Sequence, residues 1–192
     1  MKEKIYIYIC PFPKGTGSGL LTVRGLEEYR KEEDLPEGPE DPEIREGSPH
    51  KKPYFQACPE IFHNVSHSGD WWACAYGKEE VGLDLQRKEK KDTKKLAERF
   101  FHPREKAWLQ DRPDDQFYRL WAYKESYLKY TGTGLVEGLD HFSVIPSGYG
   151  KAGEMKPGAE GVCQCEIPFP DKDYWMVLTT EKPREIICRL LK

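Results

Sequence analysis

Two hydrophobic periods interleave along this chain. In Lys4–Cys10, Ile and Tyr alternate with Tyr and Ile, which reads as a strand, closed by Pro11 and Pro13. From Gly19 to Glu33, Leu20, Leu21, Val23, Leu26 and Tyr29 fall along one side of a helix. Asp34–His50 is rich in Pro, Gly and Glu and predicts a long exposed loop with at most one short strand. A new section starts at Lys51–Phe55. Ile61–Ser68 and Trp71–Tyr76 read as strands, and Gly77–Glu79 as the turn of a hairpin joining Trp71–Tyr76 to Val81–Gln86. Three helices are expected next: Thr93–Phe101, Pro103–Gln110 with Pro103 in its first turn and His102 as a poor cap, and Asp114–Thr131, stopped by Gly132. Asp140–Pro146 reads as a strand, Ser147–Gly161 as a loop, and Val162–Ile167, Tyr174–Thr180 and Glu185–Leu190 as three further strands. The order predicts an α+β fold and suggests two similar halves, each a small sheet with a helix packed on it.

The 192 residues, 38% of them hydrophobic, suffice for one sizeable core or two small cores packed together. A net charge of −3 gives no global basic field to recruit nucleic acid. The charge is uneven: Glu27–Glu46 is acidic and Arg87–Lys95 basic. Such runs are usually solvated faces, and the basic one has a second reading as a dock for an acidic partner or a phosphate-rich ligand. Six cysteines without a CxxC pair read as reduced thiols. There is no leader-like segment and no apolar run of about 20 residues. A soluble, cytoplasmic monomer is expected, without nucleic-acid or membrane partners.

Two stretches carry candidate chemistry. Val81-Gly-Leu-Asp-Leu-Gln86 alternates like a buried strand yet contains Asp84. In the last predicted helix Glu125 and Lys129 are four apart and share a face. Taken alone the latter is an ordinary helical ion pair. Combined with a strand-end carboxylate, it meets the needs of a magnesium–phosphate site, since magnesium takes hard oxygen ligands from one or two carboxylates and substrate phosphates. Lys124 lies roughly 100° round the helix from Glu125. Lys14-Gly-Thr-Gly-Ser-Gly19 lacks Walker spacing and fits a plain loop, with a phosphate-cradling turn as the alternative. His63 and His67 read first as hydrogen-bonded structural residues of a strand.

Between Lys51 and Val144 the order and spacing of several motifs resemble the 4′-phosphopantetheinyl transferases of the surfactin-synthetase-activating (Sfp) type. They are Lys51-Lys-Pro-Tyr, Phe62-His-Asn-Val-Ser-His-Ser-Gly-Asp-Trp, Val81-Gly-Leu-Asp-Leu, Arg99-Phe-Phe-His-Pro-Arg-Glu, and Leu120-Trp-Ala-Tyr-Lys-Glu-Ser-Tyr-Leu-Lys with Thr131-Gly-Thr-Gly-Leu. The resemblance implies a pseudo-twofold pair of α+β halves, here 1–68 (shortened) and 69–192, with coenzyme A bound between them. It implies magnesium-dependent transfer of the phosphopantetheine arm to a serine of an acyl or peptidyl carrier protein, releasing adenosine 3′,5′-bisphosphate. On the matching positions, Asp84 and Glu125 would hold magnesium, Glu125 and Lys129 would be catalytic, and Lys52, Pro53, Ser66, His67 and Lys124 would contact the coenzyme. Gln86 departs from the pattern, because many members carry a third acid there. A non-catalytic module that binds coenzyme A or a carrier protein is the alternative, and a nucleotide hydrolase a more distant one.

Overall fold

A computed structural model describes residues 3–39, 42–47, 50–134, 138–145, 156–157 and 161–191. The first sheet has the order β10-β1-β5-β4, built from β1 (Lys4–Pro11), β4 (Phe62–Ser68), β5 (Trp71–Gly77) and β10 (Glu185–Leu190). The second has the order β6-β9-β8-β7, built from β6 (Val81–Arg87), β7 (Lys156–Pro157), β8 (Cys163–Ile167) and β9 (Tyr174–Thr180). β2 (Ile44–Gly47) and β3 (His50–Phe55) form a separate two-stranded ribbon, whose Phe55 packs into the core of the first sheet. Only β1 and β10 pair parallel; the remaining described pairs are antiparallel. The helices are α1 (Ser18–Glu32), α2 (Thr93–Phe100), α3 (Pro103–Leu109) and α4 (Gln116–Thr131). The α+β class read from the sequence holds. None of the described helices is long and apolar enough to cross a membrane.

The alternation of β1 is buried on both faces. Ile5, Ile7 and Ile9 join Val81, Leu83 and Leu85 of β6 and Met176 and Leu178 of β9 in one core, so the two sheets share it. Tyr6, Tyr8 and Cys10 face the other way and pack with Leu21, Leu26 and Tyr29 of α1. Each such fully buried side chain stabilises the fold by about 1.5–3 kcal/mol relative to exposure. Ala97 of α2, Phe101 just after it, and Phe117 and Leu120 of α4 form a third cluster with Val177 of β9.

The sheets meet at β4 and β6 without backbone pairing. From Asn64 onward, every second residue of β4 offers a side-chain oxygen to a β6 N–H: Asn64 Oδ1 accepts from Leu83 at 2.8 Å, Ser66 Oγ from Leu85 at 3.0 Å and Ser68 Oγ from Arg87 at 3.0 Å. This satisfies a strand edge that burial would otherwise leave unpaired.

Three expectations need correction. The strands Trp71–Tyr76 and Val81–Gln86 do not form a hairpin; the short connection after Gly77 carries the chain from the first sheet to the second. The antiparallel β4–β5 pair spans position 68/69, and β10 returns the chain to that same sheet. His102 is an effective cap: its Nδ1 accepts from the Arg104 N–H at 3.2 Å, and the Glu105 carboxylate accepts from the His102 N–H at 3.0 Å. Residues 140–145 form no strand, because their backbone bonds side chains instead: Phe142 O accepts from Lys124 Nζ at 2.7 Å and Val144 N donates to Glu105 Oε1 at 2.9 Å. Pro146 and most of the Ser147–Gly161 loop lie outside the described residues.

Gly82 sets how closely α4 lies on β6. A Cβ there would stand 2.1 Å from Ser126 O and 2.4 Å from Tyr130 N, both helix backbone atoms that cannot swing aside. Gly82→Ala is expected to push α4 outward and destabilise the protein by at least about 1–3 kcal/mol, read by urea unfolding. An unchanged midpoint would mean the helix shifts without loss.

Candidate active site

In β6 the odd-numbered residues Val81, Leu83 and Leu85 enter the shared core. The two-residue period then turns Gly82, Asp84 and Gln86 to the opposite face, where α4 lies. Three consecutive α4 residues, about 100° apart around the axis, serve three different neighbours. Lys124 is wholly buried; its Nζ bonds Glu105 Oε2 of α3 at 2.7 Å and lies 4.1 Å from the centroid of the Phe142 ring. Ser126 Oγ lies 2.8 Å from Thr179 Oγ1 of β9, and Gln164 Nε2 of β8 donates to that same Thr179 oxygen at 3.0 Å. Glu125, between them, shares its surroundings with Asp84 and Lys129.

The centre of the site is Asp84, 5% exposed. Its Oδ1 accepts from Lys129 Nζ at 2.7 Å and from Ser66 Oγ at 3.0 Å. Ser66 Oγ also accepts from Lys129 Nζ at 2.9 Å. Asp84 Oδ2 is buried and has no hydrogen-bond partner. A shielded carboxylate oxygen without a donor is costly to a fold and is what an inner ligand of a hard cation looks like before the cation is added. Burial first, and then the Asp84 charge, push the Glu125 carboxyl up to about 7, against a smaller opposing pull from Lys129. Two crowded carboxylates of which one resists ionisation form a fitting donor set for a divalent cation. No cluster of three or more His, Cys, Asp or Glu is found among the described residues, in keeping with an amide at position 86. Gln86 Nε2 donates to Arg87 O at 2.7 Å.

The remaining sequence candidates divide. Lys52 Nζ is tied to Glu80, donates to Val81 O at 2.7 Å, and sits with Pro53, His63, Glu80, Tyr130 and Thr131 around a cavity of about 300 Å³. Burial pushes the Lys52 ammonium down from its usual range. His67 is exposed at the end of β4, its ring 5.1 Å from that of Phe12. Lys124 Nζ is bonded to Glu105 and to Phe142 O, away from the Asp84–Lys129 pair. Sequence reasoning gave no role to Gly82, Asn64 or Glu105, although all three fall within motifs quoted above.

The raised Glu125 carboxyl has a stability consequence. Between about pH 4.5 and about 7 the folded chain keeps a proton that the unfolded chain has released. Stability is therefore lost as pH rises through that window, and the loss is complete above it. Without divalent cation, Glu125→Gln is expected to stabilise the protein at pH 8 by about 1–2 kcal/mol, after discounting for partial exposure, with the gain vanishing by pH 4. Urea unfolding at the two pH values checks this. A pH-independent difference would assign the effect to packing.

Residues 80–165 match the family model of the 4′-phosphopantetheinyl transferase superfamily. A 4′-phosphopantetheinyl transferase of Bacillus subtilis is 37% identical over 136 residues, which is 69% of this chain and 60% of that protein. The 4′-phosphopantetheinyl transferase Sfp of Bacillus subtilis (strain 168) is 34% identical over the same length and the same shares. The 4′-phosphopantetheinyl transferase gsp of Aneurinibacillus migulanus is 39% identical over 87 residues, 43% of this chain and 36% of that protein. The chain thus spans about 60% of the length of the first two. The matched segment contains Asp84, Glu125 and Lys129 together with the strand and helix that hold them, so it is over the candidate site that the chain is similar to the 4′-phosphopantetheinyl transferase superfamily.

Proposed function

We propose that this protein transfers the 4′-phosphopantetheine arm of coenzyme A to a serine hydroxyl of an acyl or peptidyl carrier protein. The observation that carries the reading is Asp84, buried on Lys129 and Ser66 with its second oxygen bare, beside a Glu125 that resists ionisation. Magnesium held by Asp84 and Glu125 would supply charge neutralisation for the diphosphate. Glu125, directly or through water, accepts the serine proton. The serine oxygen bonds to the phosphorus that carries the pantetheine arm; the bond from that phosphorus to the bridging oxygen breaks, and adenosine 3′,5′-bisphosphate leaves. Lys129 stabilises charge on the attacked phosphate and the leaving oxygen. Ser66 fixes the orientation of Asp84. The cavity beside Lys52 and Pro53 suits the adenine side of the coenzyme, and the exposed His67 suits its 3′-phosphate. The coenzyme would lie between two halves related by a pseudo-twofold axis, a reading supported by two four-stranded sheets that each carry a long helix, α1 or α4.

The test is intact-mass spectrometry of a panel of apo carrier proteins incubated with coenzyme A and magnesium. Gain of the arm by at least one carrier is expected. Binding without any mass change across the panel would favour a non-catalytic module.

The carrier proteins of this reading are acidic, and the basic run Arg87–Lys95 follows the strand that carries Asp84, from the end of β6 into the first turn of α2. Arg87, Lys91 and Lys95 within it pair with Asp70, Glu89 and Asp92, while Lys88, Lys90 and Lys94 are also exposed. Lys90→Glu with Lys94→Glu is expected to raise the apparent KM for the carrier several-fold at low salt and leave that for coenzyme A unchanged, with the difference fading near 1 M salt. Equal rises in both constants would place the run at the coenzyme instead.

A further inference from the structure

We propose that Lys129 is the resident counter-cation of Asp84 and must leave it before a divalent cation binds, so that cation and diphosphate bind cooperatively. This rests on the cation–diphosphate reading above. Three donors converge on the Asp84–Ser66 pair, and two of them are fixed. The Ser66 hydroxyl donates to Asp84 Oδ1 at 3.0 Å and accepts from the Leu85 N–H at 3.0 Å, which locks it into the β4–β6 seam. Lys129 is the third, bonded to Asp84 Oδ1 at 2.7 Å and to Ser66 Oγ at 2.9 Å. Its side chain is 28% exposed, in the last turn of α4. It is long, flexible and reaches solvent, so it is the member able to move.

An ammonium at bonding distance from a carboxylate repels a doubly charged ion on that carboxylate. Lys129 therefore competes with a divalent cation for Asp84. Its departure also breaks a contact with Ser66, which retains its bonds to Asp84 and Leu85 and needs no replacement. The displaced ammonium then lacks an anion, and an incoming diphosphate offers one within the same few ångströms. Each ligand lowers the cost of binding the other, and by linkage the effect is reciprocal. In the absence of a diphosphate, Lys129 keeps the site closed to cations.

The experiment is manganese binding to the purified protein at low salt, followed by electron paramagnetic resonance of the unbound ion. Wild type, Lys129→Met, Lys129→Gln and Asp84→Asn are compared, each checked for folding by thermal melting and each measured with manganese alone and with coenzyme A added. With manganese alone, the two Lys129 variants are expected to bind about tenfold more tightly than wild type, a difference of about 1.4 kcal/mol. Coenzyme A should tighten manganese binding to wild type by a larger factor than it does in either variant. Equal or weaker binding by the Lys129 variants, or binding by none of the folded proteins until coenzyme A is present, would overturn the proposal. Wild-type affinity in Asp84→Asn would instead remove Asp84 from the cation site and defeat the underlying reading.

Discussion

Asp84→Ala is expected to abolish transfer, lowering kcat at least about a thousandfold, while the protein still folds. The magnitude reflects loss of the charge stabilisation that a bound cation and its ligands give a phosphoryl-type transition state. Survival of the fold follows from the local bonding. The side chain removed carries one unpartnered buried oxygen, and the groups it leaves behind, Ser66 and Lys129, still bond one another at 2.9 Å. Glu125→Ala is expected to behave in the same way. Intact mass of a responsive carrier protein reads the rate, and circular dichroism reads the fold. Near-normal transfer by either folded variant would remove that residue from the reaction.

The largest expected effect on stability lies one residue away. Lys124→Met strands the Glu105 carboxylate in the interior, where it would keep only the N–H groups of His102 and Val144. Breaking a buried pair from one side costs about 3–5 kcal/mol, since the remaining charge is uncompensated. Lys124→Met combined with Glu105→Gln removes both charges and is expected to recover part of the loss: the amide oxygen serves one of the two N–H groups, which Oε2 and Oε1 of Glu105 accept separately. Urea unfolding of the single and double variants measures it. The KM for coenzyme A should be unchanged in the double variant. A raised KM with unaffected stability would place Lys124 at the coenzyme site.

The contrast between Lys124 and Glu125 marks where sequence reading ends. Periodicity placed α4 well, because Phe117, Leu120 and Leu128 form a recognisable stripe. It also put Glu125 and Lys129 on one face. It did not say what lay on the other faces, and α4 buries Lys124 and Ser126 as well as its apolar residues. A lysine beside a motif glutamate looks the same whether its ammonium meets a ligand or a glutamate 19 residues earlier. The turn after β5 failed for a related reason. A short Gly-containing link has one local signature whether the chain folds back on its own sheet or crosses to another, and the shared core decides which. Residues 140–145 carry strand-like composition, but the side chains of Glu105 and Lys124 take the backbone bonds that a neighbouring strand would have taken. The polar positions of β4 were visible as Asn64, Ser66 and Ser68, two apart, yet only the second sheet reveals that their partners are backbone N–H groups.

In the function proposed above, Asp84 and Glu125 jointly hold the cation of a phosphopantetheinyl transfer site. Anomalous scattering from a crystal grown with manganese and coenzyme A tests it most directly. A manganese peak is expected within bonding distance of Asp84 Oδ2 and the Glu125 carboxylate, with Lys129 Nζ moved from Asp84 to a phosphate oxygen. A peak bound by neither carboxylate, or coenzyme A seated with no metal between its diphosphate and Asp84, would contradict it.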